Sequence, residues 1–248
     1  DAGNDKVEVT LDNVNIKAGS GSALTSKGDV TLTLKGDNHL TGGISDTGNY
    51  GRNGIASTGS LTITGGENGS LTAQGGSGAD GGHGGHGIYS NGSLTISGGS
   101  TVTANGGNGG NVSGDGISSN GSVTISGGTV TANGGDGSSG GDGIRSGDID
   151  LSGSLELTAK AGSPNGKALS QAGHELDLDT IKDKLGPGAK VTVTDANGET
   201  KQVSIPRPVE PEEPSSSSDG GSATPSTPAS PLPGLTVTDK SGAVISYT

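Results

Sequence analysis

The sequence predicts an all-β fold, a β-solenoid of stacked parallel coils with three short strands per coil. A returning phrase is the first reason. Gly-Ile, Leu/Val-Thr-Ile-Ser, Gly-Gly and Thr-Val-Thr-Ala follow one another through residues 87–104 and again through 116–132. A unit of this size cannot close a core alone and has to stack on its own copies. Alternation is the second reason: each segment switches between apolar and polar residues, the period of a strand with one buried face. Composition is the third. Gly (52) and Pro (10) make up a quarter of 248 residues, only 26% are hydrophobic, and Phe, Trp, Met and Cys are absent. Such a chain can fill only a narrow core of Val, Ile, Leu and Ala.

Aligned copies define three columns. Val30-Thr-Leu-Thr-Leu34, Leu61-Thr-Ile-Thr64, Leu94-Thr-Ile-Ser97, Val123-Thr-Ile-Ser126 and Ile149-Asp-Leu-Ser152 form the first. They start at 30, 61, 94, 123 and 149, steps of 31, 33, 29 and 26 residues. Leu71-Thr-Ala73, Val102-Thr-Ala104, Val130-Thr-Ala132 and Leu155-Glu-Leu-Thr-Ala159 form the second. Ala23, Ile55, Ile88, Ile117, Ile144 and Ala168 form a shorter third. Val7–Leu11 and the stretch through Ile16 and Ala18 fit an earlier coil, which gives about 6–7 coils. Thr and Val favour strand, Gly and Pro would break a helix at every turn, and Gly-Gly reads as corner punctuation. The unequal steps arise in the loop after the second column: 41–54, 75–87, 106–116, 134–143 and 161–167. These loops must emerge along one edge, where binding is usually found.

The repeats are assigned to residues 1–175. In 176–205, a short helix at 179–185 and a hairpin with an Asn-Gly turn over 191–205 read as a C-terminal cap over the open core. Residues 206–233, rich in Pro, Ser and Glu, read as an extended linker. Residues 234–248 read as a terminal hairpin or strand, either the start of another module or a strand that pairs with a neighbouring molecule.

The net charge of −12 and pI near 4.5 argue against nucleic acid and anionic membrane as partners, and no apolar run is long enough to insert in a membrane. The same charge leaves carboxylates for divalent cations. A chain without Met that starts at Asp1 is expected to be a processed or excised form.

Val9-Thr-Leu-Asp-Asn-Val-Asn-Ile16, Gly21-Ser-Ala-Leu24, Asn38-His-Leu-Thr-Gly42 and the serial Gly-Asp-Gly-Ile and Ser-Leu-Thr-Ile-Ser-Gly-Gly phrases resemble the carbohydrate-binding β-helix family of clostridia, which is similar in fold to pectate lyases. The likeness spans roughly residues 7–170 by repeat alignment. It implies a right-handed single-stranded parallel β-helix, secreted or on a bacterial cell surface. It also implies binding to plant polysaccharides such as cellulose and pectic acids, bound calcium, and no established catalysis.

Candidate sites follow from the loop edge. Asp115 and Asp142 stand in Gly-Asp-Gly-Ile just before the third column, and Asp80, Asp136, Asn108 and Asn111 lie in loops on the same edge. Asp80, Asp115, Asp136 and Asp142 are candidate Ca²⁺ ligands, since calcium takes six to eight oxygens. Asp and Asn before Gly equally serve turns or stack as hydrogen-bonded ladders. Gly75-Gly-Ser-Gly-Ala-Asp80 matches the start of a nonapeptide calcium repeat without its tandem copies. Tyr89 and Arg145 are outward residues two coils apart on one ladder, with Ser118 between them. A sugar could stack on Tyr89 and an acidic sugar pair with Arg145, with Asn108 and Asn111 as further contacts. The lack of Trp and Phe argues against an aromatic sugar platform. His83 and His86 read as solvated loop residues. Arg52 and Arg145, the only Arg residues in the repeats, have no cluster around them that would support lyase chemistry, so no catalysis is expected.

The leading expectation is a non-catalytic extracellular module that binds polysaccharide with help from calcium. The alternative is a structural or adhesive solenoid that self-associates through its C-terminal strand. A minor alternative is ice binding by outward Thr31/Thr33, Thr62/Thr64, Thr95/Ser97 and Thr124/Ser126, although Thr also suits any wet strand face.

Overall fold

The computed structural model describes residues 6–79 and 81–208. They form a parallel β-solenoid, nearly all strand, with one 3₁₀ helix. The predicted linker beyond Pro208 and the segment 234–248 lie outside the described residues.

Alternation sets the register. Val7–Asp12 pairs in parallel with the start of Val30–Thr41, and Val30, Leu61, Leu94, Val123 and Ile149 then stack in line. In the second column Leu40 lies beside Ala73, and Leu71, Val102, Val130, Leu157 and Val191 form one ladder. The third column runs from Leu24–Ser26 through Ile55–Ser57, Ile88–Ser90, Ile117–Ser119 and Ile144–Ser146 to Leu169–Gln171. Its strands are joined by five parallel steps, so the stack makes about five turns. The inward residues are fully buried, among them Leu61, Ile63, Ile88, Leu94, Ile96 and Ile125 at 0% exposure.

The third column corrects the predicted alignment at both ends. Leu24 and Leu169, not Ala23 and Ala168, lie in register with Ile55 and Ile144. The larger side chain fills the same slot as Ile. The early coils also differ from three short strands. Val30–Thr41 and Leu61–Gln74 run unbroken, 12 and 14 residues, through the corner between the first two columns. Asn38 fills that corner at 0% exposure. Its Oδ1 accepts the Val14 N–H at 2.9 Å, and its Nδ2 donates to the Lys35 and Ser70 carbonyls at 3.0 Å. A polar side chain stays in the core because its partners are all supplied.

The inward position after each third-column Ile is serine, not an aliphatic residue. Ser57, Ser90, Ser119 and Ser146 are 0–5% exposed and bond to corner carbonyls, the last three to the corner of the preceding coil, as Ser119 Oγ does to Gly92 at 2.8 Å and Ser146 Oγ to Gly121 at 2.7 Å. Beyond the repeats, Leu178–Lys184 forms the 3₁₀ helix, and Lys190–Thr194 extends the second column before pairing antiparallel with Thr200–Ser204. Leu178, Ile181, Val191 and Val203 join the core.

The glycines do more than turn corners. Each loop leaves the second column through Gly42-Gly43, Gly75-Gly76, Gly106-Gly107, Gly134-Gly135 or Ala161-Gly162, and it returns through Arg52, Gly85, Gly114, Gly141 or Gly166. The two limbs are stitched by alternating backbone hydrogen bonds. Gly85 N–H donates to Gly76 O, Gly107 to Gly85, Gly114 to Gly107, Gly135 to Gly114, Gly141 to Gly135 and Gly162 to Gly141, all at 2.7–2.9 Å. None of these glycines has positive φ. They are there because the limbs touch: a Cβ on Gly107 would lie 2.0 Å from the Gly76 carbonyl oxygen, and one on Gly114 would lie 1.9 Å from that of Gly85.

Gly107→Ala should therefore lower stability by about 3 kcal/mol or more, because the obstacle is backbone that cannot move aside. Gly147→Ala, where a Cβ meets nothing within 4 Å, should be close to neutral. Urea denaturation of both variants checks the contrast; equal midpoints would remove the close-contact explanation.

Candidate functional site

Past the glycine seam, the loop tips stack as well. Tyr50 bridges in parallel to His83 and His83 to Val112, while Gly109–Val112 pairs with Gly137–Ser139. Between these tips and the third column runs a groove of about 650 Å³. The tips contribute Tyr50, His83, Val112 and Ser139. The third column contributes Tyr89 and Arg145. Between them lie Asn53, His86, Asp115, Asp142 and Lys167, with Arg52 at one end of the coil series.

Asn53, His86, Asp115, Asp142 and Lys167 occupy one repeat position, two residues before each third-column strand. Each of the first four side chains accepts the backbone N–H of the next coil, and Lys167 ends the series as a donor. His86 N–H donates to Asn53 Oδ1 at 2.8 Å, and Asp115 N–H donates to His86 Nδ1 at 2.9 Å. Asp142 N–H donates to Asp115 Oδ1, and Lys167 N–H to Asp142 Oδ1, both at 2.8 Å. Any acceptor of suitable reach serves here, which is why Asn, His and Asp alternate at one structural position.

This ladder fixes the chemistry of its members. Since His86 Nδ1 accepts, its proton sits on Nε2 and the ring is neutral. Burial pushes the His86 pKa down; the Asp115 charge opposes the shift and Arg145 adds to it. Burial pushes Asp142 up, against the Lys167 N–H bond and with help from the Asp115 charge. Asp115, with its side chain 5% exposed, lies 3.0 Å from Arg145 Nε through Oδ2. That oxygen has no well-aligned hydrogen bond, so the contact is ionic, not directional.

Four rings flank the groove in two pairs. His86 stacks on Tyr89 with centroids 5.7 Å apart and planes 19° apart, and Tyr50 lies 5.4 Å from His83 at 31°. Asn120 Nδ2 donates to the Tyr89 hydroxyl at 2.9 Å.

The predicted ladder of Tyr89, Ser118 and Arg145 is present in register. Asp115 and Asp142 join it in the groove, whereas Asn108, Asn111 and Asp136 do not. Asn108 Oδ1 accepts the Asp136 N–H at 2.9 Å, and Asp136 Oδ1 accepts Ser163 N–H at 2.7 Å and Ser163 Oγ–H at 3.0 Å. Those Ser163 bonds hold the Asp136 carboxyl below the usual range. Asn111 is exposed on its short strand and does not line the groove. Asp80 lies outside the described residues.

Three readings change. His83 and His86 are not free loop residues: His86 stacks on Tyr89, His83 lies tilted against Tyr50, and the His86 side chain is only 24% exposed. Tyr50 and Tyr89, two of only three tyrosines in the chain, supply an aromatic lining without Trp or Phe. Arg52 and Arg145, distant in sequence, line one groove. Tyr50 was missed because its neighbour in space, His83, is brought to it by loops of different length.

The oxygens offered to calcium have other partners. One oxygen each of Asp115, Asp136 and Asp142 accepts backbone N–H, and the second oxygen of Asp115 faces Arg145. Among the described residues no group of three or more His, Cys, Asp or Glu is placed to hold a metal. No helix among the described residues is long and apolar enough to cross a membrane. Comparison with protein-family models, with curated proteins and with solved structures returned no match.

The opposite shifts of His86 and Asp142 give a signed pH dependence. For His86, the unfolded chain takes the proton first as pH falls, so its contribution to stability is full above about 6.5 and declines below it. For Asp142, the unfolded chain loses its proton first as pH rises, so its contribution declines upward from about 3.9. His86→Asn keeps an acceptor for the Asp115 N–H and removes the titration. Wild-type Tm relative to H86N should fall as pH drops from 7 to 5. A difference that is flat with pH would show that His86 does not titrate differently on folding.

Proposed function

We propose that the chain is a non-catalytic glycan-binding module whose ligand, an acidic polysaccharide, lies along the groove between the loop tips and the third column. One observation carries this reading: in a chain of net charge −12, the groove gathers Arg52, Arg145 and Lys167 against Asp115 and Asp142, beside Tyr50 and Tyr89. Cations and ring faces together suit an anionic sugar polymer, the first for its carboxylates and the second for its C–H faces. Tyr89 and Arg145 are two coil spacings apart, about 10 Å. In this reading a sugar ring stacks on Tyr89 with its carboxylate toward Arg145. The engagement of Asp115 and Asp142 by backbone N–H groups supports binding over acid–base chemistry. It also favours direct contact with the glycan over a calcium bridge.

The test is affinity electrophoresis or calorimetry with soluble polygalacturonate, run with calcium and with chelator. The chain should bind in both, and Tyr89→Ala and Arg145→Ala should each weaken binding about tenfold, roughly 1.4 kcal/mol. Binding that requires calcium would replace direct contact by a calcium bridge. No retention under either condition, or full retention by both variants, would end the assignment to this groove.

A further inference from the structure

Tyr89 is held in a way that its role as a surface tyrosine does not require. Ile88–Ser90 carries it outward, and Asn91 follows at the corner. One coil on, Ser118 and Ser119 lie opposite Tyr89 and Ser90, which brings Asn120 beside Asn91. Asn120 Nδ2 donates to the Tyr89 hydroxyl at 2.9 Å and to Asn91 Oδ1 at 2.8 Å, and the Tyr89 hydroxyl donates to Asn91 Oδ1 at 3.4 Å. The three groups close a ring of hydrogen bonds. At the other end, His86 stacks on the tyrosine, and His86 is itself pinned by the Asp115 N–H.

The hydroxyl thus has a donor and an acceptor inside the protein, and the aromatic ring is fixed both at its tip and on a face. Exposed hydrogen bonds of this kind add little to folding stability. Their effect is to remove the freedom of a side chain before a ligand arrives, which strengthens binding by reducing the ordering entropy.

We propose that Asn91 and Asn120 are positioning residues that hold Tyr89 as a pre-set stacking surface, so that it meets the ligand with its ring face and not its hydroxyl. Resting on the glycan reading, this deepens it: the subsite at Tyr89 takes the apolar C–H face of a sugar ring.

A mutant cycle tests the proposal. With polygalacturonate as probe, Tyr89→Phe and Asn120→Ala should each weaken binding about three- to tenfold, and the double variant should be no weaker than either alone. Thermal unfolding should be unchanged in all three. A side chain that acted only on local structure would give additive losses. Additive losses, or an N120A variant that binds like wild type while Y89A does not, would overturn the clamp and leave the glycan reading standing. A Y89A variant that binds like wild type would instead remove the glycan from this groove. Ring order needs no ligand: ¹³C relaxation of Tyr89 should show greater ring mobility in N120A than in wild type. Equal mobility would overturn the clamp whatever binds.

Discussion

The glycine seam is the constraint on which the rest of the molecule depends. A solenoid core orders only the residues that point into it, and the loops after the second column have none. They are ordered because their two limbs meet backbone to backbone, with each N–H given to the carbonyl of the opposite limb, from Gly76 and Gly85 through Gly162. The contact distance admits no Cβ along most of this path. The large conformational entropy that glycine loses on folding is offset by hydrogen bonds that no other residue could approach closely enough to make.

Once the limbs are joined, loop length ceases to matter for register. Loops of unequal length leave and return at the same two points of every coil, so their tips can stack, as Tyr50, His83 and Val112 do. The groove is therefore a consequence of repetition below it and variation above it. Its floor repeats one hydrogen bond with changing side chains, Asn53, His86, Asp115 and Asp142. Because the backbone asks only for an acceptor, charge and ring chemistry can vary along the floor at no loss to the scaffold.

Much of the scaffold was legible in the sequence. Alternation in Leu61-Thr-Ile-Thr64 and its copies identifies the buried face, and the column alignment places Tyr89 and Arg145 on one ladder. The misreadings have physical causes. Glycine has two uses, positive φ and close approach, and composition cannot separate them; Gly98 and Gly128 serve the first, Gly107 and Gly114 the second. The end coils lack the Gly-Ile motif that marks the third column elsewhere, so sequence alone does not separate Ala23 and Ala168 from Leu24 and Leu169, one residue on. The hydrogen-bonded ladder that Asp and Asn before Gly suggest is present at Asp115 and Asp142, and it links residues 27 and 25 positions apart. The pairing of Tyr50 with His83 spans two loops without a shared motif, so no periodicity could reveal it.

The floor ladder also bears on where the groove places its charges. An Asp in a buried rung is disfavoured as an anion, as the raised Asp142 pKa records, unless a cation stands near it. Arg145 stands near Asp115, with its Nε toward the carboxylate and its side chain 55% exposed. The ion pair holds the guanidinium through Nε while Arg145 lines the groove. A carboxylate that serves the scaffold thereby also positions a cation in the groove. Asn in that rung would satisfy the same backbone N–H but leave Arg145 free to turn into solvent. The choice of Asp over Asn at this rung thus couples the backbone ladder to the placement of Arg145.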